Sequence, residues 1–200
     1  MNTTMKSAAA TFQKKGGILR TREALHGGIH PRTLYAMRDA GVIEQAGRGL
    51  FRLASLPPMS DPDLAVVAKR MPSAVVCLIS ALAIHELTTQ IPHSVQIAVL
   101  PGGHTPRSVH PPIEVFRFSP KTFTTGVEER RIDGITVRVF SPEKTLADVF
   151  KFRNRIGLEI ALEALRTYAR KKSRRFDLVL DFARVCRVEK IMRPYLEAVA

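Results

Sequence analysis

The side chains able to do chemistry are scattered through this sequence, and few stand at working spacings. His85-Glu86 opens like a zinc-protease helix, but Thr89 occupies the place one turn later where the second imidazole has to come. One imidazole cannot hold that metal, so the zinc reading fails. His93, His104 and His110 share a Pro/Gly-rich stretch without regular ligand intervals, and they read as loop histidines. Pro101-Gly102-Gly103-His104-Thr105 has glycines suited to a phosphate loop but lacks the spaced Gly-Lys-Ser/Thr, and no Gly-x-Ser-x-Gly nucleophile elbow occurs. One set of acids could converge: Glu114, Glu128 and Glu129 on extended segments, with Lys144 and Asp148 beyond, would make a nuclease-like, metal-holding cluster. Arg130 and Arg131 follow directly, so solvent-facing ion pairs explain the same residues. The expectation is no catalytic residue, no metal and no cofactor.

Positive charge is the stronger signal. The chain of 200 residues holds 31 Lys+Arg against 18 Asp+Glu, a net +13, which points to a polyanionic partner. The excess is segregated: residues 1–56 carry nine basic and three acidic side chains, and residues 151–175 carry nine against two. The stretches 57–150 and 176–200 are neutral. With 45% hydrophobic and 24% charged residues the chain can bury a core, which excludes a disordered tail, a collagen-like fibre and a disulfide-stapled miniprotein. Cys77 and Cys186 are isolated in apolar surroundings and read as buried free thiols of a reducing compartment. No signal peptide is read at the start. The longest apolar run, Ala74 to Ile84, is shorter than the roughly 18–20 residues of a bilayer span. A cytoplasmic protein with no membrane partner is expected.

The elements that would position these charges fall on either side of Ser55-Leu56-Pro57-Pro58-Met59-Ser60-Asp61-Pro62, a proline-rich stretch read as a linker. Before it, Met5 to Lys15 reads as a helix ended by Gly16-Gly17, Ile18-Leu19-Arg20 as a short strand, and Thr21 as the cap of a second helix to His26. Gly27-Gly28-Ile29 turns the chain into a third helix, Arg32 to Ala40, with Pro31 at its first position. Leu34 and Met37 share one face of it, while Arg32, Tyr35, Arg38 and Asp39 point elsewhere. Two strands, Val42–Gln45 and Leu50–Leu53, flank the turn Ala46-Gly47-Arg48-Gly49. That order is a winged helix-turn-helix over residues 1–56. Its third helix suits the major groove of double-stranded DNA, with Arg32, Thr33, Tyr35 and Arg38 toward the bases and Arg20 and Arg48 toward phosphates. Protein docking is the other use of such a domain, and Tyr35 can equally serve in packing.

Residues 57–200 read as a larger α+β domain with a small sheet and a helical C-terminal part. Helices are expected from Asp61-Pro62 to Arg70 and from Ser73 to Leu87, and extended segments at Val95–Leu100 and Ile113–Phe118. Val127–Ile132 and Ile135–Phe140 form a hairpin through Asp133-Gly134. Ser141-Pro142-Glu143 starts a helix by hydroxyl cap, proline and acid. Leu158, Ala161, Leu162, Leu165, Tyr168 and Ala169 repeat at helical spacing as a core stripe. Lys151, Arg153 and Arg155 lie at one helix junction. Arg170, Lys171, Lys172, Arg174 and Arg175 lie at the next, a second basic patch that suits phosphates or solubility, with Ser173 placed to cap the helix that follows.

The stretch Ser141–Leu158, with its Lys-Thr-x-Ala-Asp-x-Phe-Lys-x-Arg-Asn core, resembles the signature of AbiEi-type antitoxins of bacterial type IV toxin–antitoxin, or abortive infection, systems. Ser80-Ala81-Leu82, His85-Glu86-Leu87-Thr88 with Ile91-Pro92, Gly49-Leu50-Phe51-Arg52-Leu53 and Arg193-Pro194-Tyr195-Leu196-Glu197 are similar to further blocks of that family. Glu86 departs from it where a small residue is usual, and Val149 where a Cys is frequent. The resemblance implies a non-enzymatic repressor that binds inverted repeats in its own promoter, with two copies on one operator as an open arrangement. It also implies a C-terminal domain that opposes a nucleotidyltransferase-like toxin without a stable complex. Lys144, Asp148, Lys151, Arg153 and Asn154 are the expected antitoxin surface, with the rival reading that Asp148 only locks Arg153. Two other classes stay open: a DNA-acting, nuclease-like enzyme targeted by the winged helix, and a stand-alone regulator whose second domain senses a ligand or dimerises.

Overall fold

Alanines and a phenylalanine at helical spacing wind Thr3–Lys14 into α1, which buries Ala8 and Phe12 one turn apart. The computed structural model describes residues 3–103 and 110–199; His104 therefore lies outside the described residues. After Gly16 and Gly17, both at positive φ, the chain runs through β1 (Ile18–Arg20), α2 (Thr21–His26), α3 (Pro31–Asp39), β2 (Ile43–Gly47) and β3 (Leu50–Leu53). The three strands make an antiparallel sheet in the order β1-β3-β2, with Ile18 opposite Arg52 and Ile43 opposite Leu53. Phe12, Leu19, Leu34, Met37, Ile43 and Phe51 close one core between the helices and this sheet.

By contacts the chain divides into two units, Met1–Met71 with Arg131–Thr136, and Pro72–Arg130 with Val137–Ala200. The first division thus falls after Met71, whereas the composition of the linker suggests residue 56. The reason is α4 (Pro62–Arg70), which starts on an Asp61 carboxylate accepting from Leu64 N at 2.8 Å and packs on β2. Val66 closes on Gly47, and Lys69 reaches Glu23 at 3.6 Å.

The second unit is α+β. Its elements are β4 (Val75–Val76), α5 (Leu78–Ile84), β5 (Val95–Val99), β6 (Ile113–Arg117), α6 (Pro120–Thr124) and, apart from their Arg131–Thr136 tip, β7 (Val127–Ile132) and β8 (Ile135–Phe140). They are followed by five helices: α7 (Pro142–Lys151), α8 (Arg153–Ile156), α9 (Leu158–Ala169), α10 (Phe176–Cys186) and α11 (Glu189–Glu197). The sheet order is β6-β5-β4-β8-β7, with β4 antiparallel to β5 and parallel to β8. The single helix expected over Ser73–Leu87 is two elements. Val75-Val76 is the central strand of the sheet, buried on both faces, and only Leu78 onward is helical. A strand buried on both sides shows no alternation, so an apolar run does not separate it from a buried helix. Asp133 and Gly134, at φ 50 and 78, make the tight hairpin turn that their types require.

Ser141 caps α7 by accepting from Lys144 N at 3.2 Å. Thr21, in contrast, is the first residue inside α2: the cap position belongs to Arg20, whose N–H donates to Glu23 Oε2 at 2.7 Å. Ser173 does not cap α10 either. Arg175 holds that position, and its N–H donates to Tyr168 Oη at 2.7 Å while the same hydroxyl donates to Glu143 at 2.6 Å. Glu86 adopts φ 56, a left-handed backbone that suits glycine better than a side chain, at the position where the resemblance expects a small residue.

His85 is a core residue. Its Nε2 donates to Phe140 O at 2.7 Å, and burial lowers its pKa below the ordinary 6.5, so the ring is held neutral. Arg130 pushes in the same direction, while the Phe140 bond and the acids Glu128 and Glu143 oppose it. Below the ordinary value the unfolded chain takes up a proton that the folded chain refuses. Stability is therefore full above pH 6.5 and declines as pH falls through it, by up to about 1.4 kcal/mol per unit, until the lowered folded pKa is reached. Urea titrations between pH 5 and 8 measure that slope, and His85→Gln, which keeps a donor without titrating, removes it.

Candidate nucleic-acid interface

α3 is built to present one face and bury the other. Leu34 and Met37 are fully buried, and Pro31 sits at the first position. His30 Nδ1 accepts from Arg32 N at 3.2 Å, which closes the helix start. Arg32, Tyr35, Arg38 and Asp39 are exposed along the other side, and Thr33 is half-buried. Arg32 stands in the first turn, where the positive end of the helix dipole adds to its charge.

The outer face has internal order. Tyr35 meets buried Phe51 edge-on with ring centroids 6.3 Å apart, so its packing role is real, yet 44% of the residue stays exposed. The Arg38 guanidinium lies 5.1 Å from the Tyr35 ring centroid. Its Nε and Nη2 both donate to Asp39 Oδ1, at 2.9 and 2.7 Å. Reading the sequence by charge and groove geometry passes over Asp39. Its adjacency to Arg38 was the available signal.

Arg48 is exposed in the turn between β2 and β3. The closing residue Gly49 is at φ 68, and its carbonyl accepts from Thr21 N at 2.9 Å and from Thr21 Oγ1 at 3.3 Å. Arg20 is half-buried at the end of β1, opposite Leu50. Five of the six residues expected to face a duplex are thus brought onto α3 and the β2–β3 turn, with Arg20 beside the latter. Arg52, on β3, is turned inward instead: it pairs with Glu44 at 2.5 Å and donates to Leu56 O and Pro57 O.

Residues 7–54 match the AbiEi antitoxin family of transcriptional regulators. The AbiEi match begins within α1, ends just after β3, and so contains all six residues named above. The fold is also similar to the crystal structure of RV2827C protein from Mycobacterium tuberculosis, at a TM-score of 0.54 and 13% identity over 98% of this chain and 82% of that one. Such an identity speaks to fold alone. Among curated proteins, none matches the sequence.

Outside the AbiEi segment the charged residues behave differently from expectation. Lys144 and Asp148 are not a surface. Both are fully buried one turn apart on α7, with Lys144 Nζ 2.6 Å from each Asp148 oxygen. The ammonium also lies 4.2 and 5.1 Å from the ring centroids of Phe140 and Phe118, and Cys186 Sγ donates to Asp148 at 3.3 Å. Burial pushes the Asp148 carboxyl above its ordinary range against the pull of Lys144, and burial with Asp148 pushes the Cys186 thiol up to about 12. Asp148 does not lock Arg153, which donates to Phe150 O at 3.0 Å. Lys151 and Asn154 are exposed and Arg153 half-buried, so the surface of that stretch begins only where α7 ends.

At the α9–α10 junction Arg170, Lys172 and Arg174 are exposed. Lys171 donates to His85 O at 2.8 Å, and Arg175 is paired with Asp177 at 2.8 Å. The nuclease-like cluster is not assembled. Glu114 and Glu128 lie on the two opposite edge strands, the first paired with Arg155 at 2.6 Å and the second with Arg130 at 3.3 Å. Among the described residues no three His, Cys, Asp or Glu side chains could share a metal ion, and no helix is long and apolar enough to cross a membrane.

Proposed function

We propose that the protein is a winged helix-turn-helix repressor of its own operon, reading inverted repeats, and the antitoxin of a nucleotidyltransferase-like toxin encoded beside it. The observation that carries the reading is the exposed Arg32/Tyr35/Arg38 face of α3 together with Arg48, within a segment that matches transcriptional regulators. In this reading α3 enters the major groove and Arg48 meets the sugar-phosphate backbone. Lys151, Arg153 and Asn154 are the part of the α7–α8 stretch left for toxin neutralisation, Lys144 and Asp148 serving as their internal support. Arg170, Lys172, Arg174 and Arg175 are the exposed part of the second basic patch, Arg175 being paired with Asp177.

Fluorescence anisotropy with the chain's own upstream DNA and a scrambled duplex, across a salt series, tests the repressor half. The upstream duplex is expected to bind about 10³-fold tighter or more. Arg32→Ala narrows that gap, whereas Arg48→Ala weakens both duplexes alike and lowers the salt slope by about one. Equal binding of both duplexes overturns the reading. The antitoxin half fails if growth inhibition by the neighbouring toxin persists when this chain is co-expressed.

A further inference from the structure

We infer that Arg38 reads a guanine in the operator and that Asp39 is its positioning residue, holding the guanidinium in the one orientation that leaves its end-on edge outward. The inference rests on the DNA-reading role just proposed and assigns part of its specificity.

Three observations argue that this pair is more than a stabilising contact. Asp39 is the last residue of α3, where an acid faces the negative end of the helix dipole and costs the helix stability. A pair this exposed, 41% and 65%, adds little stability in return. And the guanidinium is held from two directions, by Asp39 Oδ1 on its Nε/Nη2 edge and by the Tyr35 ring, itself set against buried Phe51. A fixed arginine suits a fixed target. Phosphates are met as well by a mobile cation, but guanine O6 and N7 accept two parallel N–H groups in one plane. With Nε occupied, the remaining pair of donors is Nη1 with the outer hydrogen of Nη2, and among the described residues Nη1 meets no acceptor. The pair is also neutral as a whole, so it adds little to the general attraction for DNA. The Asp39 carboxylate, repelled by phosphate, is tolerated beside a cytosine amino group, which makes a G·C pair the target.

The test uses the full chain and its own upstream duplex with each base pair replaced singly, read by anisotropy at fixed salt for wild type, Arg38→Ala, Arg38→Lys and Asp39→Ala. Wild type should lose about tenfold or more when one G·C pair is changed. Arg38→Ala should flatten the preference at that position and no other, and Arg38→Lys should not restore it, because an ammonium has no fork. Asp39→Ala should flatten the same position while tightening binding to scrambled DNA, since it removes a negative charge from the face. A merely structural Asp39 would not change preference at one base pair. Discrimination that survives Asp39→Ala or Arg38→Ala, on a duplex that wild type still prefers, overturns this inference alone. Wild type that binds upstream and scrambled duplexes equally overturns it together with the repressor reading.

Discussion

Lys144→Ala is expected to cost about 3–5 kcal/mol of folding stability, a large share of the roughly 5–15 kcal/mol that holds a domain of ordinary size. Lys144 and Asp148 are both fully buried, so removing the ammonium leaves a carboxylate that, among the described residues, keeps only the Cys186 thiol as donor. The lost contact with Phe140 and Phe118 adds to the cost. The cost belongs to the stranded charge and not to the pair as such. Replacing both members by apolar side chains of similar length, Lys144→Met with Asp148→Leu, should therefore recover most of it. Urea unfolding of the single and double variants measures the difference. A single variant within about 1 kcal/mol of wild type would mean that water reaches the pair, as at a surface site.

Gly126→Ala is expected to lose roughly 2–5 kcal/mol at a neighbouring point of the same core, by a different route. Gly126 sits at φ 72, and a methyl there would meet Lys144 Cβ at 2.7 Å, Lys144 Cγ at 3.0 Å and Phe182 Cε1 at 3.1 Å. The backbone cost of a left-handed alanine is about 1–2 kcal/mol, and overpacking adds about 1–3. Lys144 cannot give way, because both ends of its side chain are fixed: the stem by α7 and the ammonium by Asp148. The Gly126 carbonyl accepts from Ser141 N at 2.7 Å, so a displaced backbone would also disturb the start of α7. A lower urea midpoint with an unchanged m-value is the result to look for.

Local signals were legible and non-local ones were not. Pro31 opening α3, Asp61 and Ser141 capping their helices, Asp133-Gly134 turning β7 into β8, and the Leu34/Met37 stripe are each decided by a few neighbouring residues. The strand inside Ser73–Leu87 is not legible because an apolar run carries no period once both faces are buried. The burial of Lys144 and Asp148 is not legible for a related reason. An i,i+4 Lys–Asp pair on a helix is ordinarily solvated, and what encloses this one, Phe118, Phe140 and Cys186, comes from distant parts of the chain. Thr21 has the type of a cap, but Glu23 reaches back to Arg20 and leaves the Thr21 hydroxyl for Gly49. On the interface, the exposed residues of α3 were legible from helical spacing. Asp39's hold on Arg38 depends on rotamers, which spacing does not specify.

The bond from Thr21 to the Gly49 carbonyl bears on how fast the protein would find its operator. A turn with glycines at two positions is ordinarily free to wander, and a wandering tip must be stilled when it lands on a partner. Here the tip is moored at its base by two donors, at 2.9 and 3.3 Å, while the chain folds. Its conformational entropy is thus surrendered long before any duplex arrives. If this turn meets a duplex as proposed, contact has to still little more than the Arg48 side chain, at about 0.5–1.5 kcal/mol. Association at this point becomes a matter of diffusion and charge, with no search over loop shapes to slow it.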